Sequence, residues 1–483
     1  HISLTPRAAG TDMSGGPLND SIIVDMAHFN KIIEVRDDYA VVEPGVYFRD
    51  FDKATMAKGL ELPSYTASRE INTVGGMVGN DSGGEKNLKY GKTARYVEEL
   101  EVVMADGEVH TLKNIDGAAL AEKFALQDQE GYVYRKIAEM LRDNADVIQK
   151  AKPIVSKNSS GYALWDIGDG EKSLNLARLM TGSQGTLGII TKIKFKLVKP
   201  KPYASMLVIF LKDFKDLGAL VPAVLRHSPD SFESFDDKTF SLAIKYFPQF
   251  ATQLKTGIVT LGLSLLPELW MLLTGGVPKL VLIVEFRSDD QAEALQKAEA
   301  LMSDLEKLKL HEKMYVARDE AEGRKFWVIR RESFNLLRKK VRGKRTAPFI
   351  DDFVVPPLTL PEFLPKLQNI LKGYPSLTYT IAGHVGDGNF HIIPLIDPKD
   401  PKIPHIIDEL SHRVYDLVIS YHGSITGEHN DGLIRTPYVE KMFGEKMIKL
   451  FEEINRIGDP LDIFNPGKKV RTTFADALKH LDL

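Results

Sequence analysis

Pro6-Arg7-Ala8-Ala9-Gly10-Thr11-Asp12-Met13-Ser14-Gly15-Gly16, then Thr73-Val74-Gly75-Gly76-Met77-Val78-Gly79-Asn80-Asp81-Ser82-Gly83-Gly84, then Thr181-Gly182-Ser183-Gln184-Gly185-Thr186-Leu187-Gly188 are three glycine-rich runs in the first part of the chain. Glycine adopts positive φ at little cost and has no Cβ, so successive backbone N–H groups can converge on an anion. The interleaved Ser, Thr and Asn residues add the donors that a pyrophosphate and the edge of a flavin ring both need. A turn explains any one run; three in one domain point to loops folded around one ligand. None of them has the Rossmann fingerprint or the P-loop ending in Gly-Lys-Ser/Thr.

Around these runs lie short β-branched stretches, Ser21–Val24 and Tyr39–Val42, that read as strands joined by tight turns. The texture changes at Leu207–Leu211: strands such as Leu280–Phe286 alternate with helices such as Asp290–Lys307, a second α/β domain. Lys199-Pro200-Lys201-Pro202 is the linker between the two. Helices follow at Pro404–Ser420 and Val439–Arg456, the last before the turn Gly458-Asp459-Pro460.

A length of 483 residues calls for at least two cores, and 43% hydrophobic with 27% charged residues is globular composition. Lys and Arg (63) nearly balance Asp and Glu (66), which disfavours nucleic acid as a partner. The basic cluster Arg338–Arg345 reads as a solvated loop, with an anionic partner or membrane surface as the other reading. No cysteine is present, so a metal must be held by His and carboxylates, and a cytoplasmic location is consistent. The apolar stretch Thr256–Pro278 is long enough for a membrane span, but Pro267 and Glu268 sit at its centre. It reads as a buried helix pair, with a peripheral membrane or partner contact as the alternative. No signal peptide is legible, and the start at His1-Ile2-Ser3 reads as that of a fragment.

The second signal is Gly383-His384-Val385-Gly386-Asp387-Gly388-Asn389-Phe390-His391, followed by Gly427-Glu428-His429-Asn430-Asp431-Gly432. Glycines flanking a Gly-Asp-Gly turn permit a reversal that brings two histidines together. Glu428 would complete a His₂Glu set with open positions.

The glycine runs, with Lys89-Tyr90-Gly91 after the second and Ile189-Ile190-Thr191 after the third, resemble the FAD-binding loops of the vanillyl-alcohol oxidase and p-cresol methylhydroxylase superfamily. The resemblance implies FAD, and because no His or Tyr stands out as a covalent tether the flavin is expected to be held noncovalently. Its contacts would come from Pro6, Arg7, Gly10, Thr11, Ser14, Gly15 and Gly16 in the first loop, and from Thr73, Gly75, Gly76, Gly79, Asn80, Ser82 and Gly83 in the second. The third would add Gly182, Gly185, Thr186, Gly188, Ile189 and Ile190. It also implies a flavin domain of two α/β lobes, the first incomplete in this sequence.

The two histidine motifs and the ending Phe464-Asn465-Pro466-Gly467-Lys468 are similar to the FAD-linked D-2-hydroxy-acid dehydrogenases, among them D-lactate, glycolate and D-2-hydroxyglutarate dehydrogenases. That resemblance implies His384, His391 and Glu428 as ligands of a divalent metal, zinc. His429 would be the catalytic base and Asn389 a substrate or supporting contact. Arg330, in Phe326-Trp327-Val328-Ile329-Arg330, would grip the substrate carboxylate, with Arg331 as the alternative. The metal would lower the pKa of the substrate hydroxyl, and the α-hydrogen would pass as hydride to flavin N5. The D-2-hydroxyglutarate enzymes place a lysine where this chain has Ile350. Ala347–Asp352 and Glu428–Gly432 are similar to a subgroup of large bacterial enzymes with a C-terminal iron–sulfur region.

The expected architecture is α/β (α+β). An FAD domain spans 1–199, a cap domain with an antiparallel sheet 200–420, and a C-terminal segment, 421–483, carries Glu428-His429 and returns its helices to the FAD domain. The expected partners are a small 2-hydroxy acid and an electron acceptor, either a quinone, an electron-transfer flavoprotein or an iron–sulfur protein. Membrane association and a homodimer remain open. Rival readings are a non-redox enzyme resembling alkyl-dihydroxyacetonephosphate synthase and a non-catalytic flavoprotein subunit.

Overall fold

The computed structural model describes residues 2–245, 277–310, 313–340 and 343–480. The apolar stretch read at Thr256–Pro278 lies outside them but for its last two residues, and so do Val341 and Arg342 of the basic cluster. Among the described residues no helix is long and apolar enough to cross a membrane. The chain forms two compact units, His1–Pro200 with Ser424–Asp482, and Lys201–Gly423.

In the first unit β1 (Leu4–Arg7) and β2 (Ile22–Asp25) pair in parallel, with the first glycine run as their connection. Strands β3 (Ile32–Val35), β4 (Tyr39–Val42), β5 (Val97–Val103), β6 (Val109–Asp116), β7 (Ser173–Asn175) and β8 (Ile189–Lys196) form an antiparallel sheet in the order β3-β4-β8-β5-β6-β7. The third glycine run ends at β8, which is central to that sheet. The sheet buries Ala40, Val42, Leu100, Val102, Ile193 and Phe195 in one apolar cluster with helix residues Val133, Ile137, Phe451 and Ile454. Those come from helices Gln129–Asp143 and Val439–Gly458, so the C-terminal helix shares the core of the N-terminal residues. Asp128 caps the first of these helices, its carboxylate accepting from Gly131 N–H at 2.9 Å.

The second unit is built on one antiparallel sheet. Its strands are β9 (Tyr203–Leu211), β10 (Ser231–Asp236), β11 (Leu280–Ser288), β12 (Lys313–Ala317), β14 (Phe353–Val354), β15 (Ile381–His384) and β16 (Asn389–Ile392), in the order β12-β9-β11-β10-β15-β16-β14. A separate ladder joins β13 (Arg345–Thr346) to β17 (Leu395–Ile396). Strands β9 and β11 are buried along nearly their whole length, which is why Leu207–Leu211 and Leu280–Ile283 read as unbroken apolar runs rather than alternating ones. Helix Gln291–Lys307 begins at Asp290, whose side chain accepts from Glu293 N–H. Helices Glu320–Lys340 and Ile403–Ser420 complete the α+β arrangement.

Three segments of the first unit meet at a buried ion pair. Lys469 Nζ lies 3.1 Å from the Asp431 carboxylate, both side chains fully excluded from solvent. The carboxylate also accepts from Ser160 Oγ (2.7 Å) and Gly161 N–H (2.8 Å), and the ammonium donates to the carbonyls of Ser159 and Gly161, both at 2.8 Å. Removing one partner strands the other charge. Lys469→Met is therefore expected to cost about 3–5 kcal/mol, seen as a lowered thermal midpoint. A deficit well below that would show that the pair does not organise this junction.

Candidate functional site

The histidine motif of the second unit is a hairpin. Strand β15 turns through Val385–Asp387 and Gly388 into β16, with His384 opposite Asn389 and Ala382 opposite His391. Gly388 has φ 69°, and a Cβ there would lie 1.8 Å from the Val355 carbonyl oxygen, so only glycine makes this reversal. His384 and Ala382 are two residues apart and so face the same side, which makes His384 and His391 diagonal cross-strand neighbours. Their rings meet edge to face with centroids 5.3 Å apart.

Each histidine is backed by a carboxylate from the strand next to its own. The register Ser234↔Gly383 sets the adjacent residue Glu233 beside His384, and Glu233 Oε1 lies 2.6 Å from His384 Nδ1. On the other side Phe353↔Phe390 sets Asp352 beside His391; His391 Nδ1 lies 3.2 Å from Asp351 Oδ1 and 4.0 Å from Asp352 Oδ1. Asn389 is fully buried, its amide donating to Asp352 Oδ1 (3.0 Å) and the Phe353 carbonyl (3.1 Å), so it orients that carboxylate. Arg330 reaches in from helix Glu320–Lys340 to pair with Glu233, and its Nη2 is 3.4 Å from His384 Nδ1. The neighbouring Arg331 instead stacks its guanidinium over the Trp327 ring, 4.9 Å from the centroid.

The Glu428-His429 motif belongs to the first unit, where it is bound to the glycine loops. Asn430 (φ 67°) and Gly432 (φ 53°) bend the segment. The Asn430 amide donates to the carbonyls of Asn80 (3.1 Å) and Gly182 (2.9 Å), and Gly432 N–H donates to Gln184 Oε1 at 2.8 Å. The Glu428 carboxylate accepts from buried Lys157 at 2.9 Å, and His429 Nε2 is 3.9 Å from Glu428 Oε1. Lys92 donates to the carbonyls of Asn158 (2.7 Å) and Gly427 (3.2 Å) and pairs with Asp81 at 3.0 Å. Burial works against ionisation of Asp81, but Lys92 and Arg178 outweigh it and hold its pKa below the ordinary value.

The glycine loops of this unit fit a flavin dinucleotide. Gly76 and Gly79 lie one helical turn apart on helix Val74–Asn80; a Cβ at Gly79 would meet nothing within 4 Å, and one at Gly76 nothing nearer than 3.8 Å. Bare backbone thus borders open space. Gly185 (φ 70°) leaves no such space, since a Cβ there would lie 2.4 Å from the Pro6 ring and separate the first and third loops. The hydroxyls of Thr73 and Ser183 and the ammonium of Lys468 are buried with no hydrogen-bond partner among the described residues. Buried donors are normally satisfied, and these three lie in the second and third glycine runs and in the C-terminal motif.

Sequence reading named the histidines but missed the residues behind them, Glu233, Asp351, Asp352 and Lys157. Glu233 sits mid-strand in Ser231–Asp236 with no motif around it, and only strand register brings it to His384. Gln184 and Asn430 lay inside quoted motifs, yet nothing local marks them as the links between loops.

The amino-acid sequence matches the FAD binding domain over residues 1–113 and the C-terminal domain of the FAD linked oxidases over residues 200–469. A D-2-hydroxyglutarate dehydrogenase of Pseudomonas putida is 31% identical over 482 residues, an alignment covering 97% of this chain and 45% of that protein. The chain thus spans about half the length of such relatives. The glycolate oxidase subunit GlcD of Bacillus subtilis is 27% identical, with 97% of this chain and 83% of that one covered. The fold is that of p-cresol methylhydroxylase, solved with substrate bound, at a TM-score of 0.65 and 17% identity over 98% of this chain and 84% of that one. With more than half of its length in the C-terminal domain match and the flavin-binding match ahead of it, the chain belongs to the FAD-linked oxidase family.

Proposed function

We propose that this chain is the flavin-bearing core of a dehydrogenase that oxidises a small D-2-hydroxy acid, of the D-lactate, glycolate or D-2-hydroxyglutarate class, to the 2-oxo acid. The observation that carries the reading is the histidine pair with a carboxylate at each Nδ1. A carboxylate there fixes the ring proton on Nδ1 and puts the lone pair of each neutral imidazole on Nε2, the form that binds a metal. FAD, when bound, supplies the hydride acceptor. A divalent metal, zinc in this reading, supplies Lewis acidity toward the substrate hydroxyl.

The chain's own residues do the rest. His384, His391 and Glu428 are the ligand set, with Glu233 and Asp351 orienting the two imidazoles. His429 takes the hydroxyl proton. Arg330 binds the substrate carboxylate while keeping Glu233 as its counter-ion, since a guanidinium has five donors. The glycine loops hold the flavin noncovalently. The relatives named as hydroxy-acid dehydrogenases and glycolate oxidase support the substrate class, and the electron acceptor of this chain is in the same proposal a quinone, an electron-transfer flavoprotein or an iron–sulfur partner.

Anaerobic mixing with a panel of 2-hydroxy acids is expected to bleach the flavin of the purified protein with one member of the class; a flavin that no 2-hydroxy acid reduces overturns the reading. Metal analysis separates ligand from base. His384→Ala and His391→Ala should lose the divalent metal, whereas His429→Ala should keep metal and flavin and lose about 10²–10⁴-fold in rate. Retention of metal by both of the first two variants, or its loss from the third, reverses those roles. Glu233→Gln should weaken metal binding by about 10–100-fold, and a variant that binds metal as tightly as the parent removes Glu233 from the site. Arg330→Ala should raise KM for every carboxylate substrate by an amount equivalent to roughly 1.5–3 kcal/mol, with Arg331→Ala close to silent. The opposite pattern would transfer the substrate contact to Arg331.

A further inference from the structure

The C-terminal run Phe464-Asn465-Pro466-Gly467-Lys468-Lys469 is stitched into the glycine loops of the first unit. Leu4 N–H donates to the Ile463 carbonyl (2.7 Å) and Asn465 N–H to the Leu4 carbonyl (2.8 Å), which ties the run to β1. The Asn465 amide donates to the carbonyls of Gly16 (2.9 Å) and Gln184 (2.7 Å), one in the first glycine loop and one in the third. Asn19 fixes the turn from the other side by donating to the Pro466 carbonyl at 2.8 Å. Two lysines follow, with opposite fates. Lys469 is consumed by the carbonyls of Ser159 and Gly161 and by Asp431.

Lys468 is 1% exposed and its ammonium has no hydrogen-bond partner among the described residues. The charged group facing it is Asp12, within the first glycine loop. That carboxylate is already engaged by Ser14 N–H (3.0 Å), Gly16 N–H (2.7 Å) and the Asn80 amide (2.7 Å). A buried lysine without a hydrogen-bond partner is costly, and the cost has a reason if a ligand anion completes it. We propose that Lys468 is the cation that meets the pyrophosphate of the bound flavin dinucleotide, and that FAD binding is coupled to uptake of a proton by Lys468. The inference rests on the FAD reading and deepens it, by assigning a residue outside the three loops to the phosphate charge.

The proton follows from burial. With no anion bound, burial drives the Lys468 pKa down to about 8, with Asp12 only partly opposing it. A pyrophosphate beside the amine favours the ammonium and restores a high pKa. Above pH 8 the free protein carries Lys468 as the amine, and binding then takes one proton from solution to form the ammonium. By linkage, affinity for FAD must fall as pH rises through that range.

The test is titration of flavin-stripped protein with FAD and, separately, with riboflavin, which has the same ring system and no phosphate, read by flavin fluorescence. The dissociation constant for FAD is expected to rise about tenfold between pH 7 and pH 9, while that for riboflavin stays level. Lys468→Met should lose about 10–100-fold in FAD affinity at neutral pH, lose the pH dependence and bind riboflavin as the parent does. Parent protein whose FAD and riboflavin profiles run parallel, or a variant that keeps FAD affinity within about threefold, overturns the proposal. Should Lys468→Met not fold, the comparison of the two ligands on the parent decides alone. Protein that binds neither flavin overturns the cofactor reading itself, an outcome distinct from a failure of Lys468.

Discussion

The first unit is organised around a charge that cannot be left alone. Asp431 and Lys469 are both wholly buried, and a buried ion pair persists only where its remaining hydrogen-bonding capacity is met. Meeting it requires the backbone of Ser159–Gly161, the hydroxyl of Ser160 and both chain segments that bear the charges. The consequence is geometric. Residues 428–432, which carry Glu428 and His429, are pinned to the segment that follows Asn465 and through Gln184 and Asn430 to the second and third glycine loops. A loop bearing a candidate base thereby acquires the rigidity of a core, although it has no regular secondary structure from Ser424 to Asp431.

The second unit reaches rigidity by another route. Its histidines stand on adjacent strands of a hairpin closed by Gly388, and their carboxylate partners arrive by sheet register rather than by any local signal. Register is strongly specified here because the sheet is buried, and a one-residue slip of β10 would turn Glu233 to the opposite face, away from His384, and bring a phenylalanine or a serine to its place. The apolar core of the strand thus sets the position of Glu233. Arg330 is held from the helix side by Phe326, Trp327 and Ile329, which bury that face of helix Glu320–Lys340 against the sheet.

Much of this was legible from the amino-acid order. Whereas the antiparallel sheet of the second unit was expected from the family resemblance, the strands read at Tyr39–Val42 and Leu280 onward and the helices read at Asp290–Lys307, Pro404–Ser420 and Val439–Arg456 follow from the local pattern of residues. The glycine runs and the two histidine motifs stood out for the same reason, since their conformational demands are written in consecutive residues. What was not legible depends on contacts between residues distant in the chain. Glu233 and His384 are 151 positions apart, and Lys157 and Glu428 are 271 apart. Nothing in Phe232-Glu233-Ser234 distinguishes a carboxylate behind a histidine from an ordinary polar residue on a strand. Lys468 is the intermediate case: the motif that contains it was visible, but the difference between it and Lys469 lies wholly in which of the two finds partners.

The first glycine loop shows how these constraints combine. Converging N–H groups without an anion are themselves unfavourable, and this loop resolves that by placing Asp12 where it accepts from Ser14 and Gly16. The loop is therefore shaped before any ligand arrives, but at the position where a second negative group would be repelled by the carboxylate. The two backbone donors given to Asp12, those of Ser14 and Gly16, cannot serve a phosphate as well, so cationic side chains beside this loop would compensate a dinucleotide bound there. Among the described residues, Arg7, whose guanidinium lies over Gly10 where a Cβ would come within 2.7 Å of it, and Lys468, which faces Asp12, are such cations. A loop whose glycines were its sole anion receptor would give no role to a buried lysine from the far end of the chain; one that has committed two of its amides to an internal carboxylate does.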